Sequence, residues 1–475
     1  MAIDESGERT GQYEPPVAAL AERVAGAVIT PEQPEYDEAR TVWNGLVDRR
    51  PAAIVRCTGT ADVVACVDFA REEHLPLSVR GGGHNVAGTA VCDDGIVVDL
   101  SELRGVHVDP NRRRVRVAGG ATWADVDREA QQFGLAVPGG VVSDTGVAGL
   151  TLGGGFGHLR RTYGLSCDAL RSVDLVTANG DALTASADEH EDLFWALRGG
   201  GGNFGVVTSF EFEAYPLGPD VAGCLVFHPA ARATEAFQFL REYAADAPEE
   251  VSPLAFTATV PDEPEFPETA RGEPVVGFFA CYAGEDLETG LNVLAPLREF
   301  DTPVLDFSGI MPYTEFQRVL DEDYPDGRRY YWKSTYLTGL SDAAIDAIVA
   351  ASETAPSPLS TVDVWQLGGA IADVDEGETA FGERDAPYML GIEANWDDAE
   401  GDDANIAWAR ELYETMQEFS PGGLYVNFPG FGEEGEELVR AVYGDNYDRL
   451  QQVKARYDPD NLFRANQNIT PAPSA

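Results

Sequence analysis

Positive charge is what this sequence has least of. It carries 33 Lys and Arg against 81 Asp and Glu, a net charge of -48 and a pI near 4.2. A nucleic-acid footprint needs a basic face, so direct binding to nucleic acid is excluded as an expectation. The acids are spread along the whole chain and read as a solvated coat. At roughly 1 M salt the Debye length is about 3 Å, and the self-repulsion of such a coat is screened. We read it as adaptation to a salty cytoplasm. No Asp-x-Asp-x-Asp-Gly loop supports a calcium site instead. Cysteine is sparse and scattered: Cys57, Cys66, Cys92, Cys167, Cys224 and Cys281 form no C-x-x-C pair. That excludes a zinc ribbon and suggests buried thiols in a reducing compartment. No 18-residue apolar run exists, so no membrane span is expected. The N-terminus lacks the basic-then-apolar pattern of a signal peptide. Missing too are a G-x-G-x-x-G dinucleotide loop before a helix, a Walker loop, a G-x-S-x-G elbow and an H-E-x-x-H helix.

What the chain does have is glycine in three concentrated runs. Its 475 residues, 44% hydrophobic, suffice for two or three globular domains. Residues 1 to about 15 are polar and expected to be frayed. Apolar spacing predicts a helix between Pro16 and Ile29, then a short helix and turn from Asp37. Ala53 to Cys57 reads as a strand, 60–73 as a helix and Leu75 to Val79 as a second strand. That unit delivers Arg80-Gly81-Gly82-Gly83-His84-Asn85. A second run extends from Gly139 to His158, and a third from Gly199 to Gly205 opens the strand Val206 to Glu213. The Asn179-Gly180 turn predicts a hairpin. After residue 217 the glycine runs stop and α+β patterning follows. Val275 to Tyr282, Arg329 to Leu337, Val362 to Leu367 and Tyr388 to Trp396 are its expected strands, and 261–274 is linker-like. One glycine run is an ordinary turn signal; three, each beside a strand, favour an extended anionic cofactor cradled by backbone N–H groups.

Arg80 to Asn85, Gly95-Ile96-Val97-Val98-Asp99-Leu100, Gly146 to Gly157, Tyr163-Gly164-Leu165-Ser166-Cys167-Asp168, Tyr425-Val426-Asn427 and Asp458-Pro459-Asp460-Asn461 resemble the signatures of FAD-linked oxidases of the berberine bridge enzyme type. The resemblance covers about residues 35–471. It implies an α+β protein: a PCMH-type FAD-binding domain of two α/β subdomains, plus a substrate domain with an antiparallel sheet flanked by helices. The expected layout is an N-terminal extension at 1–34, the FAD domain at 35–217, the substrate domain at 218–420 and a C-terminal segment at 421–475 returning to the FAD domain. The family joins FAD to the histidine of R-[SG]-G-G-H, here His84. Many members add a cysteine bond; Val142, with Val141 beside it, stands at that position here. The resemblance therefore implies attachment through His84 alone. Cofactor contacts are expected from Arg80, Gly81, Gly82, Gly83, His84, Asn85, Thr145, Gly149, Gly154, Gly155, Val207, Tyr425 and Asn427. Arg160-Arg161 is read as a surface pair.

The implied reaction is hydride transfer from a CH–OH or CH–NH donor (a sugar, hydroxy acid or cyclic amine), with a base taking the proton and O2 or another acceptor reoxidising the flavin. Three residues are candidates. Tyr425 sits in Tyr-Val-Asn-Phe, where the family commonly has Y-x-N-Y; Phe428 lacks the second hydroxyl. Lys333 alternates with Tyr331 and Thr335 on one strand face and is either a substrate ligand or a solvated lysine. Glu393 is either a base or an ion-paired acid. Tyr425 is equally readable as a packing aromatic, and His84 as a hydrogen-bonding loop residue. The competing functions are a dehydrogenase using another acceptor, a flavin-binding protein with little turnover and, from another class, a scaffold whose glycine runs are only turns.

Overall fold

Three sheets organise the chain in a computed structural model that describes residues 16–264 and 266–473. The stretch 1–15, expected to be frayed, lies outside the described residues. Short, almost wholly apolar strands build the first sheet. Ala53–Arg56 and Leu77–Arg80 flank Ile96–Asp99 in parallel, and Ala27–Ile29 joins antiparallel at the edge. Parallel neighbours need a crossover. The helix Thr60–Glu72 supplies part of it and buries Val63, Cys66, Val67, Phe69 and Ala70. The helix expected between Pro16 and Ile29 is shorter, Val17–Ala21. Beyond it the chain joins the sheet at Gly26, where an added Cβ would lie 1.9 Å from the Arg56 carbonyl oxygen.

Alternating strands build the second sheet, five-stranded and antiparallel. It contains Val106–Asp109, Arg114–Ala118, Val206–Glu213, Leu170–Val176 and Ala182–Ser186. The last two are the expected hairpin. Val115, Val117, Val173, Phe210 and Phe212 face a core shared with the helix Trp123–Ala130. Thr122 caps that helix through a capping box with Asp125. The C-terminal helices Glu436–Tyr443 and Tyr447–Tyr457 enter the same core through Val439, Tyr443, Leu450 and Val453.

The third sheet has eight antiparallel strands. Its centre runs Asp220–Pro229, Pro274–Tyr282, Val251–Thr259, Thr361–Gln366, Tyr388–Trp396 and Arg329–Leu337. The first and third of these were not expected; glycine, proline and alanine dilute their alternation. One face packs four helices, Ala233–Asp246, Leu287–Arg298, Asp342–Ser352 and Asp402–Met416. The opposite face turns toward the first two sheets. This is the α+β architecture expected from the sequence.

Arg160 and Arg161 correct a second expectation. They are buried, 1% and 6% exposed. Arg160 donates to the carbonyls of Gly157, Gln366 and Pro253, and Arg161 to those of Leu367, Val251 and Pro248. The pair pins the second glycine run to the third sheet.

Candidate active site

A cavity of about 700 Å³ lies between the glycine runs and the free face of the third sheet. All three runs reach it: Gly81, Gly82 and Gly83; Thr145, Gly146 and Gly149; Gly201, Gly202 and Gly205 with Val207. Glycine is required here by contact. A Cβ on Gly82 would lie 2.4 Å from the Gly146 nitrogen, and one on Gly146 2.3 Å from the Gly82 nitrogen. Two loops therefore touch backbone to backbone. Gly83 has φ +76°, which favours glycine. Such a wall can direct N–H groups at an anion and suits the pyrophosphate of FAD.

His84 lines the cavity beside this wall. Its Nε2 lies 3.0 Å from Asp144 Oδ1, close enough for an ion pair, while its geometry leaves that nitrogen without a hydrogen bond. Trp43 stacks on the imidazole at 4.8 Å, and Tyr330 stacks on Trp43 at 3.7 Å. Trp43 and Asp144 escape a motif-based reading, because Trp43 lies outside the glycine runs and Asp144 is a lone acid within the second one. Asn85 lines the cavity and accepts the Thr89 N–H. Arg80 does not face it: the guanidinium donates to the Ala39 and Thr41 carbonyls and lies 3.9 Å from Asp99. It holds the chain entry in place rather than touching the cavity. Gly154 and Gly155 are also turned away, packed on Phe381 and Ser166. Among the described residues no cysteine lines the cavity, whereas Val141 and Val142 do. All six cysteines are buried and free.

The C-terminal segment closes one end. The Tyr425 hydroxyl accepts from the Gly155 and Phe156 N–H groups at 3.2 and 3.3 Å and from Asn427 Nδ2 at 2.8 Å. Burial pushes its pKa up to about 12, against those hydrogen bonds. Asn427 also donates to the Leu150 carbonyl. Lys454 bridges Asp458 and the Asn203 and Phe463 carbonyls, tying the Asp458-Pro459-Asp460-Asn461 signature to the third glycine run.

Strand alternation decides the remaining candidates. Tyr331, Lys333 and Thr335 do share a face, but it is the helix-covered one. Lys333 Nζ pairs with Glu433 at 2.8 Å and lies over the Tyr413 ring. It is absent from the cavity lining, so the substrate-ligand expectation is corrected. Glu393 faces the cavity with Met389 and Asn395. Tyr324 donates to Glu393 Oε2 at 2.7 Å. Asp363, diagonal to Glu393 on the neighbouring strand, hydrogen-bonds it and was missed; its signal was a lone acid in an apolar strand. Burial pushes Asp363 up to about 7 and raises Glu393 well above the carboxylate range, the Asp363 charge adding to the latter. His158 lies outside the lining; burial depresses it to about 3, so its imidazole is neutral. Among the described residues no cluster of His, Cys, Asp and Glu could hold a metal.

A glycine-built anion cradle beside a histidine, facing an open sheet, defines a flavin-site oxidoreductase class, and the comparisons agree. Residues 51–186 match the FAD binding domain model, and residues 424–470 match the berberine and berberine-like model. The (R)-6-hydroxynicotine oxidase of Paenarthrobacter nicotinovorans is 33% identical, over 94% of this chain and 97% of its own. An FAD-linked oxidoreductase of Dictyostelium discoideum is 32% identical, over 96% and 97%. The solved 6-hydroxy-D-nicotine oxidase from Arthrobacter nicotinovorans superposes with a TM-score of 0.84 at 30% identity, covering 94% of this chain and 98% of that one. The chain belongs to the FAD-linked oxidoreductases with a berberine-like C-terminal segment, and it is an enzyme with an FAD-binding domain.

Proposed function

We propose that the enzyme oxidises a small CH–OH or CH–NH donor with FAD bonded covalently to His84 alone, and that O2 is the final acceptor, yielding hydrogen peroxide. The bound flavin supplies the hydride acceptor. The carrying observation is His84 itself, at the rim of the Gly81–Gly83 wall with an Nε2 that makes no hydrogen bond. Backbone N–H groups of that wall and of the Thr145–Gly149 segment would hold the pyrophosphate. Val141 and Val142 offer no thiol for a second bond. Arg80 would act indirectly, by fixing the loop.

The chain's own groups then divide the work. Tyr425 keeps its proton at neutral pH and orients the second glycine run. The Glu393–Asp363 pair, which holds one charge between its two carboxyls, takes the proton from the donor's O–H or N–H. Lys333 has no part in this step. The acidic coat, in our reading, suits a high-salt cytoplasm. Intact mass of denatured protein tests the attachment. The wild type should carry one FAD, and His84→Ala none. An FAD adduct persisting in His84→Ala would sink the assignment. Peroxide formed with donor in air supports oxygen as acceptor; a donor-reduced flavin that stays reduced in air would favour a dehydrogenase.

A further inference from the structure

The free face of the third sheet carries an acid pair at the end of apolar cross-strand rows. Phe227 and Phe256 both sit opposite Gly277, Phe256 lies opposite Asp363, and Asp363 lies opposite Gly391. Phe227 and Phe256 meet edge to face at 5.6 Å. The next row runs Leu225, Phe279, Leu254, Trp365, Met389. These rows offer a ligand ring faces and methyl groups but almost no hydrogen bonds. Asp363 and Glu393 are only 6% and 3% exposed. Two carboxyls in hydrogen-bond contact cannot both ionise readily, so the pair presents one negative charge. Burying a charge is costly unless it is paired, yet among the described residues no cation pairs with this one. Arg328 is the lining residue with permanent positive charge among those described. It is committed to Asp397 at 3.0 Å and to the Asp323 carbonyl.

We propose that the donor is a protonated amine with an apolar body of aromatic size, its ammonium seated at Asp363 and Glu393 and its body along the Phe256 and Phe279 rows. This rests on the flavin-oxidase reading above and selects among its donors. A sugar would leave its hydroxyls unpaired against phenylalanine and leucine. A hydroxy acid would bring a second negative charge to the pair. An ammonium neutralises the pair and gains from the neighbouring ring faces.

Calorimetry on the holoenzyme at pH 8 in about 1 M KCl, which screens the outer coat, tests the assignment without turnover. The probes are benzyltrimethylammonium, benzyl alcohol, phenylacetate and cellobiose. The ammonium should bind at least about tenfold more tightly than each of the others. Glu393→Gln imitates the protonated partner and leaves one charge on Asp363, so it should keep affinity within about threefold. The double variant D363N/E393Q removes the charge and should bring the ammonium down to the level of benzyl alcohol. Equal binding of alcohol, phenylacetate or cellobiose overturns the proposal, as does a double variant that keeps the ammonium preference. A pH series on the wild type repeats the test by titration. Among the described residues Glu322, Asp323, Tyr324 and Arg328 are the other titratable or charged groups lining this end of the cavity; burial pushes Asp323 up to about 6, so the same series on D363N/E393Q is subtracted. The preference of the permanent cation should fall at least about tenfold from pH 8 to pH 5, and an unchanged preference overturns the proposal. Intact mass reads the flavin separately, so failure of the cofactor reading is not confused with failure of this one.

Discussion

At the scale of single residues, the molecule carries an acid pair that its own stability would be better without. An acid whose folded pKa is raised keeps its proton when the unfolded chain has lost it. The stabilisation is complete below about pH 4, the ordinary aspartate value, and is lost as pH rises through about 7, where Asp363 titrates. Neutral isosteres remove that loss. D363N/E393Q should therefore melt at a higher temperature than the wild type at pH 8 and at nearly the same temperature at pH 4.5. Calorimetric melting across that range measures the difference, in which the titration of the many surface carboxylates cancels. A double variant less stable at pH 8 would mean that the pair is paired better than its neighbours show. Tyr425 presents the opposite case: its three hydrogen-bonded contacts and high pKa fit a fixed structural hydroxyl, which leaves the acid pair to handle the proton.

At the scale of elements, the segment Arg160–Tyr163 works as a rivet between the glycine runs and the third sheet. Arg160 satisfies three backbone carbonyls on both sides of that seam. Each buried acceptor left unpaired costs roughly 1–3 kcal/mol, so Arg160→Ala should lose about 3 kcal/mol or more in urea unfolding. Arg160→Lys should recover only part of that, since an ammonium cannot span the same fork. A cost below about 1 kcal/mol would show that water replaces the guanidinium freely. The same element shows where sequence reading stops. Motif and alternation are local, and they placed His84, the glycine wall, Tyr425 and Glu393 on the cavity. Burial of Arg160 depends on the strands Val251–Thr259 and Thr361–Gln366, about 90 and 200 residues further on, and no local signal announces them. Lys333 failed differently. Its period-2 face was read correctly, but which face meets the flavin side depends on where the helix Asp402–Met416 packs. Trp43 and Asp363 escaped because a lone tryptophan or acid has no spacing to read.

At the scale of the whole molecule, two electrostatic effects oppose one another as salt is raised. The -48 charge repels itself over tens of ångströms in dilute buffer, where the Debye length is about 30 Å at 0.01 M, and that repulsion is screened at about 3 Å near 1 M. Surface ion pairs weaken over the same range. They are many, and they are built largely on arginine, since the chain's two lysines, Lys333 and Lys454, both sit in shielded pairs. Exposed pairs such as Arg23–Glu72 or Arg440–Glu436 each contribute little, however, because water screens them and both side chains lose freedom. Few of them can be lost before the gain from screening dominates, because every unpaired carboxylate contributes to the repulsion. The melting temperature should therefore climb steeply between about 0.05 and 2 M KCl and then flatten once the Debye length falls below the spacing of neighbouring acids. Potassium chloride is the salt to use, because a sulfate would add its own effect on apolar burial. A melting temperature that is flat or falls over that range would mean that the ion pairs, not the repulsion, set the balance, and the high-salt reading of the acidic coat would go with it.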